Sequence, residues 1–311
     1  MPEAAEHPDQ AAALIASAHD VLGQGLIARA ASLSARASAL APEWPETASL
    51  ACEVARAEGD LAGAAEAAQL WQSLAPEDAA AAFSAAILTG QALPPSPQER
   101  TPAPFVIADG FLSPLQQDLV AHHLLDHLGQ MEAASVVQGG ASQEDGTSRS
   151  AHVLYDPDAV AAWFSPLVAA YLPWALPCLG LAPFAVSQVE LQLTASYHGD
   201  FYKAHHDITL GEEDSVAGRR VSFVYYFQLM PNAFAGGALR LYDQYGLAGT
   251  TTRERFTAVL PIPNRLVLFR SEALHEVMPV ETHSNQAEAG RFTLNGWLHG
   301  SGSTPPPDDR L

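Results

Sequence analysis

The sequence predicts an α+β protein in which an α-helical, repeat-like domain precedes an antiparallel double-stranded β-helix, or jelly roll. Residues 10–92 are rich in alanine and repeat their apolar residues with the helical period. From residue 187 onward, short alternating runs separated by turn residues are typical of an antiparallel barrel. We therefore expect a helical region at 1–92, a proline-rich, semi-rigid linker at 93–104 and a jelly-roll domain at 105–311.

The helical region contains a repeat of 34 residues. Leu-Ala-Pro-Glu at 40–43 recurs at 74–77, and the same displacement carries Gly25 onto Gly59. This period resembles that of tetratricopeptide repeats, and the resemblance implies that the repeated prolines mark turns between units. Only about two units are visible, which is fewer than usually form a stable solenoid, so the region is expected to pack against the jelly roll as a buttress. The alternative is a docking surface for a peptide or for a second copy of the chain, as in a homodimer.

The composition limits the classes of function. The chain has 311 residues, 48% of them hydrophobic, and a net charge of −20, with Lys203 as its single lysine. This charge disfavours nucleic acids and anionic membranes as partners, and we expect no apolar stretch long enough to span a bilayer. Cys52 and Cys178 lie far apart in apolar surroundings and are expected to be reduced core residues. No signal peptide is visible, so the expected location is cytoplasmic.

The jelly-roll region is predicted to contain eight strands, the number that this architecture requires. Before them, Ser113 and Pro114 predict the N-cap and first residue of a helix ending near Leu128. A second, apolar helical stretch at 158–179 is interrupted by three prolines, and a glycine-rich polar loop is predicted at 138–148. The strands are expected near 188–197, 201–209, 220–229, 237–243, 253–260, 265–270, 275–281 and 291–298.

A candidate metal site lies in the second of these strands. On a strand, residues i and i+2 point to the same face, so His205 and Asp207 can converge on one point while His206 faces away. An imidazole and a carboxylate side by side lack only a second imidazole to make the facial triad that holds non-heme iron(II). His275, in the segment Leu-Phe-Arg-Ser-Glu-Ala-Leu-His-Glu-Val, is the candidate for it. The pattern therefore predicts an iron(II) site made by His205, Asp207 and His275.

The order of these motifs resembles that of the iron(II)/2-oxoglutarate dioxygenases, specifically their prolyl 4-hydroxylase-like branch. The resemblance spans about residues 103–299 and includes Tyr-His-Gly-Asp-Phe-Tyr at 197–202, Gly-Gly-Ala-Leu-Arg-Leu-Tyr at 236–242, His-Glu-Val-Met-Pro-Val at 275–280 and Gly-Trp-Leu-His at 296–299. It implies iron(II), 2-oxoglutarate as co-substrate, O2, and ascorbate as reductant. It also implies that the stretch at 158–179 packs on the back of the sheet and that the acidic loop at 210–218 closes over the substrate.

The same resemblance assigns residues to the co-substrate. Arg291, on the last predicted strand, would bind the distal carboxylate of 2-oxoglutarate, a task suited to a planar guanidinium fork. Tyr226 would donate a second hydrogen bond to that carboxylate, and a shift of one residue in strand register would nominate Tyr225 instead. Tyr197 would lie near the metal-bound end of the co-substrate.

Two further residues are candidate substrate contacts. Trp297 lies where the family places an aromatic side chain near the substrate or the iron, with core packing as the alternative interpretation. Arg240 is the best candidate among the arginines that lie outside the co-substrate site. His198 and His206 are not expected to be ligands, and His299 is expected at the surface.

The resemblance implies a hydroxylase of an unactivated C–H bond that produces succinate and CO2. Its leading substrate is a prolyl or other residue in a peptide or protein. The alternative substrate is a free amino acid or natural-product intermediate, which a small closed pocket would favour. The alternative function is that of a catalytically inactive peptide-binding protein. Asp207 favours hydroxylation, since related halogenases have a small residue at that position. Repair of alkylated bases is disfavoured by the net charge of −20 and by Trp297, where such enzymes carry a further arginine.

Overall fold

The computed structural model describes residues 6–138, 141–144, 146–208, 218–247 and 249–300, with the backbone alone at 6–7, 136–138 and 141–144. The predicted acidic loop at 210–218 lies, except for residue 218, outside the described residues, as do parts of the predicted glycine-rich loop. The predicted α+β class is confirmed: a helical region precedes a jelly roll of antiparallel sheets.

Five helices form the N-terminal region, and their bounds follow the 34-residue repeat. The start of α4 lies 34 residues after that of α2, and the start of α5 lies 34 residues after that of α3. Pro42 and Pro76 lie in the turns that precede α3 and α5, as predicted. Gly59, which ends α3, has a φ of 81°, a left-handed conformation that costs glycine little. The helices are α1 (Glu6–Gly23), α2 (Ile27–Leu40), α3 (Pro45–Glu58), α4 (Leu61–Leu74) and α5 (Ala79–Leu88).

Two further helices follow the linker and cover the jelly roll. The predicted N-cap is confirmed, because Ser113 and Gln116 form a capping box and Pro114 is the first helical residue of α6 (Pro114–His127). Helix α7 (Asp158–Cys178) continues through its three prolines, so the expected interruptions are absent. All three prolines lie on its exposed face, where water can reach the carbonyls left without an N–H partner.

Helix α7 packs one apolar face against the sheet. Its buried residues include Val160, Phe164, Val168 and Leu172, four residues apart, which share a core cluster with Leu193 and Phe223 of the sheet. By length and composition alone, α7 could also cross a membrane, so the expectation that no stretch is long enough is wrong for this helix. Core helices that cover a sheet pass the same test, and the packing of α7 is of that kind.

Seventeen strands occur among the described residues, and their main pairings are antiparallel in two larger sheets. One sheet has the order β1-β12-β15-β9-β6, with β13 paired to β12; the other has the order β2-β14-β10-β17-β8-β7-β3. Each predicted strand has a counterpart, and the one near 275–281 divides into two around Met278 and Pro279. The bounds are β1 (Arg100–Thr101), β2 (Phe105–Asp109), β3 (Glu132–Ala133), β4 (Ser135–Gln138), β5 (Ala141–Glu144), β6 (Arg149–Ser150), β7 (His152–Tyr155), β8 (Val186–Ser196), β9 (Phe201–His205), β10 (Arg219–Phe227), β11 (Phe234–Gly236), β12 (Leu239–Tyr245), β13 (Thr251–Val259), β14 (Arg265–Arg270), β15 (His275–Val277), β16 (Val280–Thr282) and β17 (Arg291–Gly300).

The helical region and the jelly roll share a core. Leu50 and Val54 of α3 belong to one buried apolar cluster with Phe256 and Ala258 of β13. The proline-rich segment between the two parts also contributes an edge strand, because β1 pairs with β12. This packing supports the buttress interpretation of the helices. Cys52 and Cys178 are both buried and unpaired, as predicted.

A buried ion pair joins α3 to the sheet beneath it. Arg56 donates two hydrogen bonds to the carboxylate of Asp243 on β12, at 2.7 and 3.0 Å, and a third to Thr257 at 3.1 Å. Glu53, also on α3, pairs with Arg255 at 2.9 Å and with Arg100. Because both Arg56 and Asp243 are almost fully buried, their pairing compensates charges that would otherwise be costly to remove from water.

Candidate metal centre and co-substrate pocket

Strand pairing brings the three predicted metal ligands to one point. His205 is the last residue of β9 and His275 the first of β15, and the register pairs these two residues directly. The Nε2 atom of His205 lies 3.4 Å from Oδ1 of Asp207, and that of His275 lies 3.5 Å from Oδ2. The donor atoms of all three residues lie within 4.8 Å of one another. His206, as expected, is not part of this cluster; its Nδ1 contacts the carbonyl of Glu272.

Backbone carbonyls set the tautomer of both imidazoles. Nδ1 of His205 lies 2.7 Å from the carbonyl oxygen of Lys203, and Nδ1 of His275 lies 2.9 Å from that of Ala273. A carbonyl only accepts, so each Nδ1 carries the proton and each Nε2 offers its lone pair to the centre. Burial, followed by the neighbouring His205, lowers the pKa of His275 to about 4. The ring is therefore neutral at pH 7, the state that a metal requires.

Asp207 supplies the negative charge of the cluster. Burial acts to raise its pKa, but the nearby His275 and His205 and a hydrogen bond from Ser222 outweigh burial, and the pKa lies well below its usual value. Ser222 donates its hydroxyl to Oδ2 at 2.6 Å, and the backbone N–H of Asp207 donates to the carbonyl of Ser271 at 3.0 Å. The carboxylate is therefore ionised and held in place. Two imidazoles and one carboxylate are the ligands of the non-heme iron(II) facial triad.

Replacing Ser222 with alanine is expected to weaken iron(II) binding by about 10-fold, because partners that orient metal ligands are typically worth 10- to 100-fold in affinity. The fold should persist, since the change removes one oxygen atom from a small side chain. Calorimetric titration of the protein with iron(II) under nitrogen measures the effect. Ser17→Ala, on the exposed face of α1, is the matched control and should not change the affinity.

The triad opens into a cavity of about 220 Å³ that residues of both larger sheets line. Arg291 of β17 and Tyr226 of β10 are buried in its wall. The Arg291 guanidinium carbon lies 5.0 Å from the centre of the Tyr226 ring, and its Nε donates to the carbonyl of Gly237 at 2.9 Å. Gly237 has a φ of 65°, and a Cβ there would lie 2.5 Å from Cδ of Arg291, so only glycine leaves room for this arginine.

Arg291 has no acid partner and the Tyr226 hydroxyl no hydrogen-bond partner among the described residues. Burial lowers the pKa of Arg291 and raises that of Tyr226. A buried guanidinium beside an unpaired hydroxyl favours binding of an anion, and a carboxylate fits both donors.

Strand register places the side chains of the adjacent residues Tyr225 and Tyr226 on opposite faces of the sheet. Tyr226 faces the cavity, whereas Tyr225 points into the core on the other side of the sheet and donates to Asn264 at 3.1 Å. Trp297 lines the cavity too, with the Arg219 guanidinium 3.5 Å from the centre of its ring. Its indole N–H is buried without a partner among the described residues, so it is available to a bound molecule.

Two candidates lie outside the cavity, contrary to expectation. Tyr197 donates its hydroxyl to the carbonyl of Ala287 at 3.1 Å and packs against Phe292. Arg240 alternates along β12 with Leu239, which lines the cavity, and therefore points to the opposite face. There it pairs with Glu276 at 3.3 Å and lies over the ring of Phe256.

His299, expected at the surface, is instead only 7% exposed. Its Nε2 contacts the carboxylate of Glu190, which also accepts from Arg219 at 3.1 Å. The reason is that β17 runs to Gly300 and pairs with β8 through this segment, so the end of the strand is covered.

Sequence reasoning missed two residues of the cavity wall. The Tyr202 ring stacks on that of His205, with the ring centres 3.5 Å apart, and the Arg149 guanidinium lies over Tyr202 at 4.9 Å. Tyr202 belongs to the Tyr-His-Gly-Asp-Phe-Tyr motif, which could have indicated it. Arg149 follows a glycine-rich segment and begins a strand of only two residues, so no local pattern indicates its direction.

Residues 191–299 match the family model of the 2OG-Fe(II) oxygenase superfamily, and this range contains all three members of the triad and Arg291. The chain contains a 2OG-Fe(II) oxygenase domain. This domain continues beyond the matched range in the structure, since β2, β6 and β7 pair with its sheets.

Curated proteins similar to the chain include two hydroxylases. An uncharacterized PKHD-type hydroxylase of Synechocystis sp. is 34% identical over 191 residues, which is 60% of each chain. A prolyl 3-hydroxylase of Mus musculus is 30% identical over 105 residues, 32% of this chain and 18% of that protein. The chain thus spans less than two thirds of the length of either relative.

Solved structures similar to the oxygenase domain include two prolyl hydroxylases. A Pseudomonas putida prolyl-4-hydroxylase has a TM-score of 0.43 and 21% identity, over 64% of this chain and 93% of the other. A Trichoplax adhaerens prolyl hydroxylase, in complex with a peptide fragment of hypoxia inducible factor, has a TM-score of 0.47 and 20% identity, over 63% of this chain and 83% of the other.

Proposed function

We propose that the protein is an iron(II)- and 2-oxoglutarate-dependent hydroxylase of an unactivated C–H bond that produces succinate and CO2. One observation carries the proposal: a single cavity contains a triad of two imidazoles and a carboxylate together with a buried arginine that has no acid partner among the described residues. The leading substrate class is a prolyl residue in a peptide or protein, supported by the name of one curated relative, the prolyl 3-hydroxylase of Mus musculus.

The cavity residues would have two roles, binding of the metal and binding of the co-substrate. His205, Asp207 and His275 would hold iron(II), which with 2-oxoglutarate and O2 supplies the oxidising chemistry. Arg291 would bind the distal carboxylate of 2-oxoglutarate with its planar fork, and the Tyr226 hydroxyl would donate a further hydrogen bond to it. Burial of both groups keeps water away from this carboxylate, which strengthens the interaction and fixes the orientation of the co-substrate.

A second candidate keeps the chemistry and changes the substrate to a free amino acid. The observation that favours it is the small volume of the cavity, about 220 Å³. A cavity of this size suits a small molecule better than a folded protein partner. Under this alternative no peptide would need to enter between the sheets.

The decisive assay measures succinate formed by the purified protein with iron(II), 2-oxoglutarate and ascorbate, with and without pooled proline-containing peptides. Turnover that peptides stimulate and a chelator abolishes, with the mass of one oxygen atom added to proline, is the expected result. Turnover stimulated only by free amino acids would select the second candidate. A protein that binds iron(II) but forms no succinate under any of these conditions would contradict the hydroxylase proposal and leave a peptide-binding protein as the alternative.

Replacing Arg291 with lysine is expected to raise the KM for 2-oxoglutarate by about 10- to 100-fold, since a charge-assisted hydrogen bond contributes about 1.5–3 kcal/mol and lysine keeps the charge but not the fork. The affinity for iron(II) alone should not change, because Arg291 does not contact the triad. Succinate assays at varied 2-oxoglutarate concentrations measure the effect. Arg240→Lys, outside the cavity, is the control, and an equal rise in KM there would contradict the assignment.

A further inference from the structure

A second buried arginine lines the cavity. Arg149 of β6 is 9% exposed, and its guanidinium carbon lies 4.9 Å from the centre of the Tyr202 ring. Its Nη1 donates to the carbonyl of Ser135 at 3.4 Å, a long hydrogen bond that does not compensate its charge. Among the described residues, no carboxylate forms a salt bridge with it.

This lack of a partner is unusual for this protein. Six arginines are buried in the part of the chain that the structure describes, and four of them form salt bridges with aspartate or glutamate. The two without such a partner are Arg149 and Arg291, and both line the same cavity. Burying a guanidinium without an anion is costly. The cavity therefore offers a second anion site in addition to that of Arg291. The four paired arginines are Arg56, Arg255, Arg265 and Arg270.

Arg149 lies close to the candidate metal centre and apart from Arg291 in the fold. One aromatic ring, that of Tyr202, contacts both Arg149 and the imidazole of His205. Strand β6, which carries Arg149, pairs with β9 in the sheet of the triad, whereas Arg291 lies on β17 in the other sheet. A group bound by Arg149 would therefore lie beside the metal rather than in the co-substrate position of Arg291.

The charges around the cavity favour an anionic substrate. Its described lining contains Arg149, Arg219 and Arg291 but Asp207 as the only acid, and Arg219 is paired with Glu190. Iron(II) and Arg291 would together balance Asp207 and the two carboxylates of 2-oxoglutarate. The charge of Arg149 would then remain without compensation in a site of low dielectric. A substrate with one negative charge would compensate it.

We propose that Arg149 binds a carboxylate of the substrate and so selects substrates that carry one near the hydroxylated carbon. This inference depends on the proposed function, which it deepens by naming the chemistry of the substrate. The planar guanidinium, held against the Tyr202 ring, presents the fork that suits a carboxylate. Two sources have this chemistry: the α-carboxylate of a free amino acid and an aspartate or glutamate side chain next to the target in a peptide.

The test compares substrates that differ only in a carboxylate. One arm uses L-proline and L-prolinamide; the other uses two capped peptides in which proline is followed by aspartate or by asparagine. In at least one arm, the intact protein is expected to prefer the acid over the amide by about 10- to 100-fold in kcat/KM, the usual range for a charge-assisted hydrogen bond. Arg149→Gln should bring this ratio close to one, and Arg149→Lys should give an intermediate ratio. The arm that shows the preference identifies the source.

Arg240→Gln is the matched control, because Arg240 also lies over an aromatic ring but outside the cavity; it should keep the full preference. Calorimetric binding of the same four ligands, under nitrogen with iron(II) and 2-oxoglutarate present, repeats the comparison without turnover. Preference for the acids in binding without any succinate would support Arg149 while the hydroxylase proposal fails. Equal binding of acid and amide by the intact protein, or a preference that survives in Arg149→Gln, would overturn the inference.

Discussion

Replacing His275 with alanine is expected to abolish succinate formation and to reduce the affinity for iron(II) by well over 100-fold. The reason is that partners of metal ligands are already worth about 10- to 100-fold in affinity, and His275 is one of the three ligands itself. The variant leaves Asp207 buried with His205 as its only imidazole neighbour in the cluster. Calorimetric titration with iron(II) under nitrogen and the succinate assay measure the two effects.

His198→Ala is the matched control for this prediction. His198 is exposed and lies outside the cluster and the cavity lining, so both the affinity and the turnover should stay at the values of the intact protein. Thermal unfolding of the metal-free proteins separates loss of the ligand from loss of the fold. A folded His275→Ala protein that binds iron(II) as tightly as the intact protein would contradict the assignment of the triad.

Replacing Arg56 with methionine is expected to lower the free energy of unfolding by about 3–5 kcal/mol, the usual cost of removing one partner from a buried ion pair. Methionine fills most of the space of the arginine stem but leaves Asp243, which is 1% exposed, without its two hydrogen bonds from Arg56. Urea denaturation measures the change from the unfolding midpoint and slope. The lost stability should also affect the candidate metal centre, because β12 carries Asp243 and its Leu241 pairs with His275.

Arg36→Met, an exposed position on α2, is the control and should change the free energy of unfolding by less than about 0.5 kcal/mol. The double variant Arg56→Met with Asp243→Leu removes both charges together. Because replacing both partners of a buried pair is often nearly neutral, it should recover a large part of the stability that the single change loses. A single variant as stable as the intact protein would show that the helices are not anchored to the jelly roll through this pair.

Local patterns predicted the elements of the fold well. The alternation of apolar and polar residues indicated the eight predicted strands of the jelly roll but not the short strands β3–β7 and β11, and the repeat of Leu-Ala-Pro-Glu anticipated the 34-residue spacing of the helix starts. The same local logic placed the N-cap at Ser113. It failed for α7, whose prolines all fall on one exposed face and so do not interrupt the helix. That outcome depends on which face packs against the sheet.

In the candidate site, too, some features could be predicted from the sequence and others could not. The i, i+2 spacing of His205 and Asp207 predicted that their side chains meet, and they do, although β9 ends at His205 and Asp207 lies just beyond it. The order of His275 and Arg291 along the chain resembles a known family, so these residues were also within reach of the sequence. Tyr226 rather than Tyr225 facing the cavity required the register of β10 against its neighbours. A shift of one residue reverses every side chain of a strand, and periodicity alone does not set it.

The sequence by itself determined the order of helices and strands, because that order depends on residue patterns along each element, and the donor types of the candidate metal centre, because the motifs that contain His205, Asp207 and His275 give them. Only the tertiary structure decided the partners of the arginines. The sequence indicated Arg240 and not Arg149 as a substrate contact, yet Arg240 pairs with Glu276 outside the cavity and Arg149 lines the cavity without an acid partner among the described residues. The two arginines differ because of strand register and because of neighbours that are far away in the chain. The free-energy cost of burying a charge depends on the groups packed around it, and the sequence does not give those groups.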